Sequence, residues 1–282
     1  MTTPVPTTPS TVALIVRDGN GQSPGAQTGG RLRTARLLSL VTASIATIAA
    51  AWTFTNPGLL HGPEAMQGSA RGTALVMGAL AVPVLLASVR QVWRDHGSAL
   101  LTWAGALLHL LYNVVLLMVL TPFNAAFLVY VELLGFALWS LAYLGASPEL
   151  WRVGKAIAEQ APVRGVAYPT PMLAGTGVQT NALYIQDLAV WLPLAAVAAL
   201  WLRRRQPRGA VIVGALLGLW VIEGVSVATD QWFGVQADPG SSLVSLSLVG
   251  PFLALAAIGL VPLWLPLRGS ATATRGRRSP TG

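Results

Sequence analysis

The sequence predicts an all-α fold, a polytopic bundle of transmembrane helices. Three observations carry this. The 282 residues are 54% hydrophobic and only 10% charged, with mean hydropathy +0.61, whereas a soluble domain carries about 25% charged residues. Apolar runs recur at the length of about 20 residues that a bilayer demands of a helix. The arginines gather at the ends of those runs, as topology signals do.

Residues 1–35 are rich in Thr, Pro and Gly and hold one short apolar patch, VALIV at 12–16. Five residues cannot cross a bilayer, and the composition is that of a disordered tail. Seven apolar runs follow, at about 37–55, 73–92, 98–121, 124–146, 183–202, 209–229 and 242–267, so the bundle is expected over 36–267. The turn TPFN at 121–124 is short enough to make the third and fourth spans a tight antiparallel hairpin. Pro83, Pro193, Pro251 and Pro262 sit inside spans, where each removes a backbone donor and kinks the helix. PELWRVGKAIAEQ (148–160) mixes apolar and charged positions, as either a short amphipathic helix on the cytoplasmic membrane surface or a solvated loop helix does. Residues 268–282 form a basic disordered tail.

Charge placement raises a question of parity. With the N-terminus in the cytoplasm, the first four spans keep their basic clusters inside. The last three do so only if the fifth begins outside, so the two halves disagree by one crossing. A broken or re-entrant element at about 165–182, GVAYPTPMLAGTGVQTNA, would reconcile them and place both tails in the cytoplasm. The alternative is one cluster that breaks the rule.

The composition also excludes chemistry. There is no cysteine, hence no disulfide, thiolate metal site or thiol catalysis. A pI near 11 could suggest nucleic acid, but arginines at span ends are explained by topology, so no nucleic-acid partner is expected. GTGVQTNA at 175–182 lacks the strand and helix of a phosphate-binding loop, and neither a nucleophile elbow nor an H-E-x-x-H motif occurs. No catalytic residue, metal site or cofactor is expected.

Three stretches carry a resemblance: LYNVVLLMVLTPFNAAFLVYVELL (111–134), IQDLAVWLPL (185–194) and RRRQPRGAVI (203–212). Together they resemble a family of uncharacterised bacterial multi-span integral membrane proteins, with a YN…FN..FL.YV hairpin, a QD…PL span and an RR.P.G turn. The resemblance covers about 65–265. It implies the bacterial inner membrane as location and implies no particular chemistry. Relatives carry one more apolar segment before the QD span, and its lack here falls where the parity problem lies.

The candidate site residues are polar groups inside spans. Each acid near the bilayer centre costs about 2.5–3.5 kcal/mol on an insertion scale, more than one hydrogen bond returns at about 0.5–1.5 kcal/mol. Glu132, Asp187 and Glu223 must therefore be protonated, paired, near an interface or lining water. At about 1.5 Å per residue, Glu132 is expected roughly 12 Å below the outer end of its span, with Asp187 and Glu223 also in the outer half. His109 falls near the middle of its span. His109, Tyr112 and Asn113 share a helix face by their spacing of three and four. These six residues are the expected ligand- or ion-binding set. Two readings stay open. In one, they line an outward-facing polar cavity for transport or small-ligand binding. In the other, they fix helix packing in a structural, sensory or scaffolding protein.

Overall fold

The computed structural model describes residues 24–92, 99–121, 123–159 and 186–275, which hold helices and turns and, among the described residues, no strand. In chain order the helices are α1 (Pro24–Thr55), α2 (Glu64–Val92), α3 (Ala99–Leu120), α4 (Phe127–Gly145), α5 (Pro148–Ala158), α6 (Leu192–Arg203), α7 (Pro207–Ala237) and α8 (Val249–Arg275). Two of them contain a π turn: Met77–Ala81 within α2, and Asp187–Trp191 leading into α6. Each π turn ends two residues before a proline, Pro83 or Pro193. A proline ring clashes with the carbonyl four residues back and offers it no donor. Widening the preceding turn relieves both problems without ending the helix.

Among the described residues, five helices are long and apolar enough to cross a membrane, at Gly30–Thr55, Glu64–Val92, Ala99–Val119, Phe127–Gly145 and Pro207–Ala237. This corrects the expectation of seven clear spans. Of the other two expected spans, the one that ends in α6 is described from 186, and Asp187–Arg203 gives about 24 Å of rise against a hydrocarbon core of about 30 Å. The apolar stretch Leu246–Pro262, which runs into α8, counts among the shorter apolar helices of the described residues. The element expected at 165–182 lies outside the described residues. Helix α1 starts well before residue 36 and α8 runs on beyond 267, so each enters a segment expected to be a tail.

Helix α7 is the hub. It packs on α2, α3, α5, α6 and α8, and glycines let it approach them. A Cβ on Gly218 would stand 3.2 Å from the Gly105 Cα, and one on Gly72 would stand 2.8 Å from the Thr229 carbonyl oxygen. The register is explicit. Gly214 meets Leu101 and Gly218 meets Gly105, so α3 and α7 run parallel. Gly68 meets Phe233 and Gly72 meets Thr229, so α2 and α7 are antiparallel. Helix α4 instead lies against α1. Its buried stripe is Tyr130, Leu133, Ala137, Ser140 and Leu144, spaced alternately by three and four as a packed helix seam requires.

One end of the bundle gathers the basic residues. Arg31 Nη1 donates to the Ala146 carbonyl at 3.1 Å, and Arg205 Nη1 donates to the Glu159 carbonyl at 3.2 Å. The other end holds the 56–63 connection, the turn before α4 and the loop after α7. Glu159 and Arg205 share the basic end, whereas Asp187 begins its π turn about 24 Å further along the α6 axis. The described chain thus leaves 159 at one end of the bundle and resumes at 186 towards the other.

Candidate functional site

Helix α3 places His109 about 15 Å from its N-terminus, at mid-height. His109 and Asn113 lie one turn apart on the face that meets α7. The glycine contact between Gly105 and Gly218, one turn below, brings the two backbones close enough for short polar side chains to bridge. His109 Nδ1 lies 3.0 Å from Glu223 Oε2. Asn113 Nδ2 donates to the same oxygen at 2.7 Å and also to the His109 carbonyl at 3.1 Å. An ionised carboxylate only accepts, so against an ionised Glu223 the imidazole presents its proton on Nδ1. His109 is fully buried and Asn113 nearly so, while the Glu223 side chain keeps 14% exposure.

A second polar couple adjoins the first. Tyr112, also on α3, donates its hydroxyl to Asp187 Oδ1 at 3.3 Å, and its ring stands 5.9 Å from that of Trp191. Both partners belong to the π turn before α6, which carries them to α3. Two turns beyond Glu223 on α7, Asp230 Oδ1 accepts from the Thr73 hydroxyl of α2 at 2.9 Å, and Ser69 donates to its backbone carbonyl at 3.1 Å.

Of the six residues expected as a site, the structure joins His109, Asn113 and Glu223 in one hydrogen-bonded group. Tyr112 and Asp187 form the neighbouring couple. Glu132 is elsewhere. It lies exposed on the outer face of α4, beside the 70%-exposed Leu128. The cavities described are also elsewhere, at the basic end.

Two features distinguish the cluster. The hydrogen-bond partners of Glu223, Asp187 and Asp230 include no arginine or lysine among the described residues. Several buried polar atoms also lack a hydrogen-bond partner among the described residues: His109 Nε2, Trp191 Nε1 and Ser226 Oγ. Such atoms are costly in an apolar interior. No trio of His, Asp and Glu side chains is assembled as a metal site among the described residues.

Spacing alone marked neither the close approach nor the partners from α2. The signal for the first is present in the sequence: GSARG (68–72) and GALLG (214–218) are both G-x-x-x-G stretches, and both meet a neighbouring backbone. Thr73 and Ser69 have no such signal, because a hydroxyl in a membrane helix can satisfy its own i−4 carbonyl.

No protein-family model, curated protein or solved structure matches this chain.

Proposed function

We propose that this helical, membrane-embedded chain binds a proton or small monovalent cation at the His109–Asn113–Glu223 cluster, as part of transport or ion-coupled ligand binding across the bundle. The observation that supports this most is the pairing of a mid-height carboxylate with a histidine whose second ring nitrogen has no hydrogen-bond partner among the described residues. With His109 neutral and Glu223 ionised, the pair carries one negative charge. A proton taken up on Nε2 makes the pair neutral overall, while the Nδ1–Glu223 contact is kept. Asp187, held to the same α3 by the Tyr112 hydroxyl, offers the next carboxyl to a moving cation. In this reading both tails and the basic end face the cytoplasm, by the positive-inside rule, and the membrane is the bacterial inner membrane that the family resemblance implies.

Histidine NMR on a His61→Gln/His96→Gln background, in which only His109 remains, tests this. The expected result is a pH-dependent change of the imidazole signals that Glu223→Gln displaces. The same Glu223→Gln protein in liposomes should lose proton or cation flux while its folded yield is kept. A His109 spectrum unchanged by pH, with Glu223→Gln merely lowering folded yield, would favour the packing role instead.

A further inference from the structure

The basic end of the bundle carries a second arrangement. Helix α5 lies across it as the sequence suggested, burying Leu150, Gly154 and Ala158 at successive turns and leaving Arg152 and Lys155 outward. It is seated tightly. A Cβ on Gly154 would stand 2.4 Å from Val211 Cγ2 and 2.6 Å from the Pro207 carbonyl oxygen. Trp151 Nε1 donates to the Gly145 carbonyl at 2.7 Å, fixing its indole at the α4–α5 corner.

Two grooves open where α5 meets the turn between α6 and α7. One, of about 390 Å³, is lined by Ala146, Pro148, Trp151, Arg152, Lys155 and Pro207. The other, of about 620 Å³, is lined by Trp151, Trp201, Pro207, Arg208 and Ile212. They share Trp151 and Pro207. Their walls are mostly apolar and aromatic, and three cations stand at their rims. Arg152 pairs with Glu149 at 3.1 Å. Lys155 and Arg208 make no ion pair among the described residues.

The turn between the grooves is held in an uncommon conformation. Arg205 adopts φ 54°, where a helix end ordinarily uses glycine. Its N–H reaches the Leu202 carbonyl and that of Gln206 reaches the Trp201 carbonyl, both at 2.8 Å, so the end of α6 is closed by the usual six-residue wrap. The arginine side chain is used as well, since its guanidinium donates to the carbonyl of Glu159, the residue that caps the end of α5. The turn and α5 are thereby one unit, and the grooves between them are preformed.

We infer that these paired grooves bind an anionic phospholipid. Its phosphate sits among Lys155, Arg208 and Arg152. Its glycerol backbone lies against Trp151 and Trp201, which occupy the level where indoles anchor at membrane interfaces. One acyl chain follows the exposed apolar face of α6 past Leu200 and Val197, which are 46% and 41% exposed. A free phosphate would satisfy the cations and leave the apolar walls unused, whereas a lipid uses both. Basic pockets between membrane helices are established places for anionic headgroups, each basic residue near the surface adding about 1 kcal/mol.

The test is native mass spectrometry of the full chain released from nanodiscs of equal phosphatidylglycerol and phosphatidylcholine. Wild-type protein should retain phosphatidylglycerol selectively. Lys155→Gln/Arg208→Gln should weaken that retention about 30-fold, or about 2 kcal/mol. Arg33→Gln/Arg90→Gln, which removes two exposed cations elsewhere, should leave it unchanged. Equal loss in both double variants would overturn the site in favour of general surface charge. Displacement of the lipid by millimolar inorganic phosphate would overturn it in favour of a free-anion site. All four positions are exposed, so folded yield should not change. The outcome is independent of the His109–Glu223 cluster.

Discussion

Two of the polar seams in this bundle are built differently. Between α1 and α4, Thr42 meets Ser140 at 3.1 Å and Thr53 meets Tyr130 at 2.7 Å, all neutral hydroxyls with partners in reach. Between α3 and α7, an imidazole and an amide converge on one carboxylate oxygen, beside polar atoms with no hydrogen-bond partner among the described residues. The first seam is what packing requires: small groups, no charge, each bond worth about 0.6 kcal/mol by the average for membrane interiors. The second costs more than packing needs, since a neutral pair would join the same helices. That excess is the physical argument for a role beyond assembly.

The largest effect should come from removing the carboxylate. Glu223→Ala strands His109 Nδ1 in an apolar seam and leaves Asn113 Nδ2 with the His109 carbonyl as its acceptor. By the precedent of buried pairs losing one member, this should cost about 3–5 kcal/mol. Thermal unfolding of the purified protein would read this as a sharply lowered midpoint. Glu223→Gln keeps an acceptor for Nδ1–H and should cost far less. If both variants unfold alike, the charge itself matters to the fold and the two seams are less different than they look.

Gly105→Val comes next. Its Cβ would stand 2.8 Å from the Gly218 Cα, and backbone cannot yield as a side-chain tip does. Overpacking of this kind costs about 1–3 kcal/mol, and here it also spreads α3 from α7 just below the cluster. The expected outcome is lower stability together with a changed His109 NMR signal. Thr42→Ala on the other seam should lower stability by only about 0.6 kcal/mol and leave His109 untouched.

This pairing shows what was legible in the sequence. The spacing of His109, Tyr112 and Asn113 announced a shared region, and the cost of buried charge announced that Glu223 and Asp187 needed partners. Which acid would meet which helix was not legible, because that depends on the parallel register of α3 on α7, set by glycines at 105 and 218. The helical class followed from composition. The span count did not, because a hydropathy run cannot reveal where a π turn widens the helix ahead of a proline. Helix α5 was readable from its alternation of apolar and charged positions, and so was its place at the basic end. The grooves it forms were not, since Gly154 and Pro207 come together only in the fold.

The smallest effect is expected at Glu132, which serves as the control for the comparison. It was expected in the site on the same energetic grounds as Glu223, and the fold leaves it on the outer face of α4. It is one turn past Leu128, and a Cβ on nearby Gly135 would meet open space. It lies only about 8 Å from the start of its helix, shallow enough for its carboxyl to reach the interface. A residue that faces the same surroundings in the folded bundle and in separated helices contributes little to the difference between them. Glu132→Leu should therefore change stability by less than about 0.5 kcal/mol, as other surface substitutions do. It should also leave flux and the His109 signal as they are. A marked loss of either would mean that the outer face of α4 is covered in the working protein. The contrast between a partnered acid and an exposed one would then no longer separate function from packing.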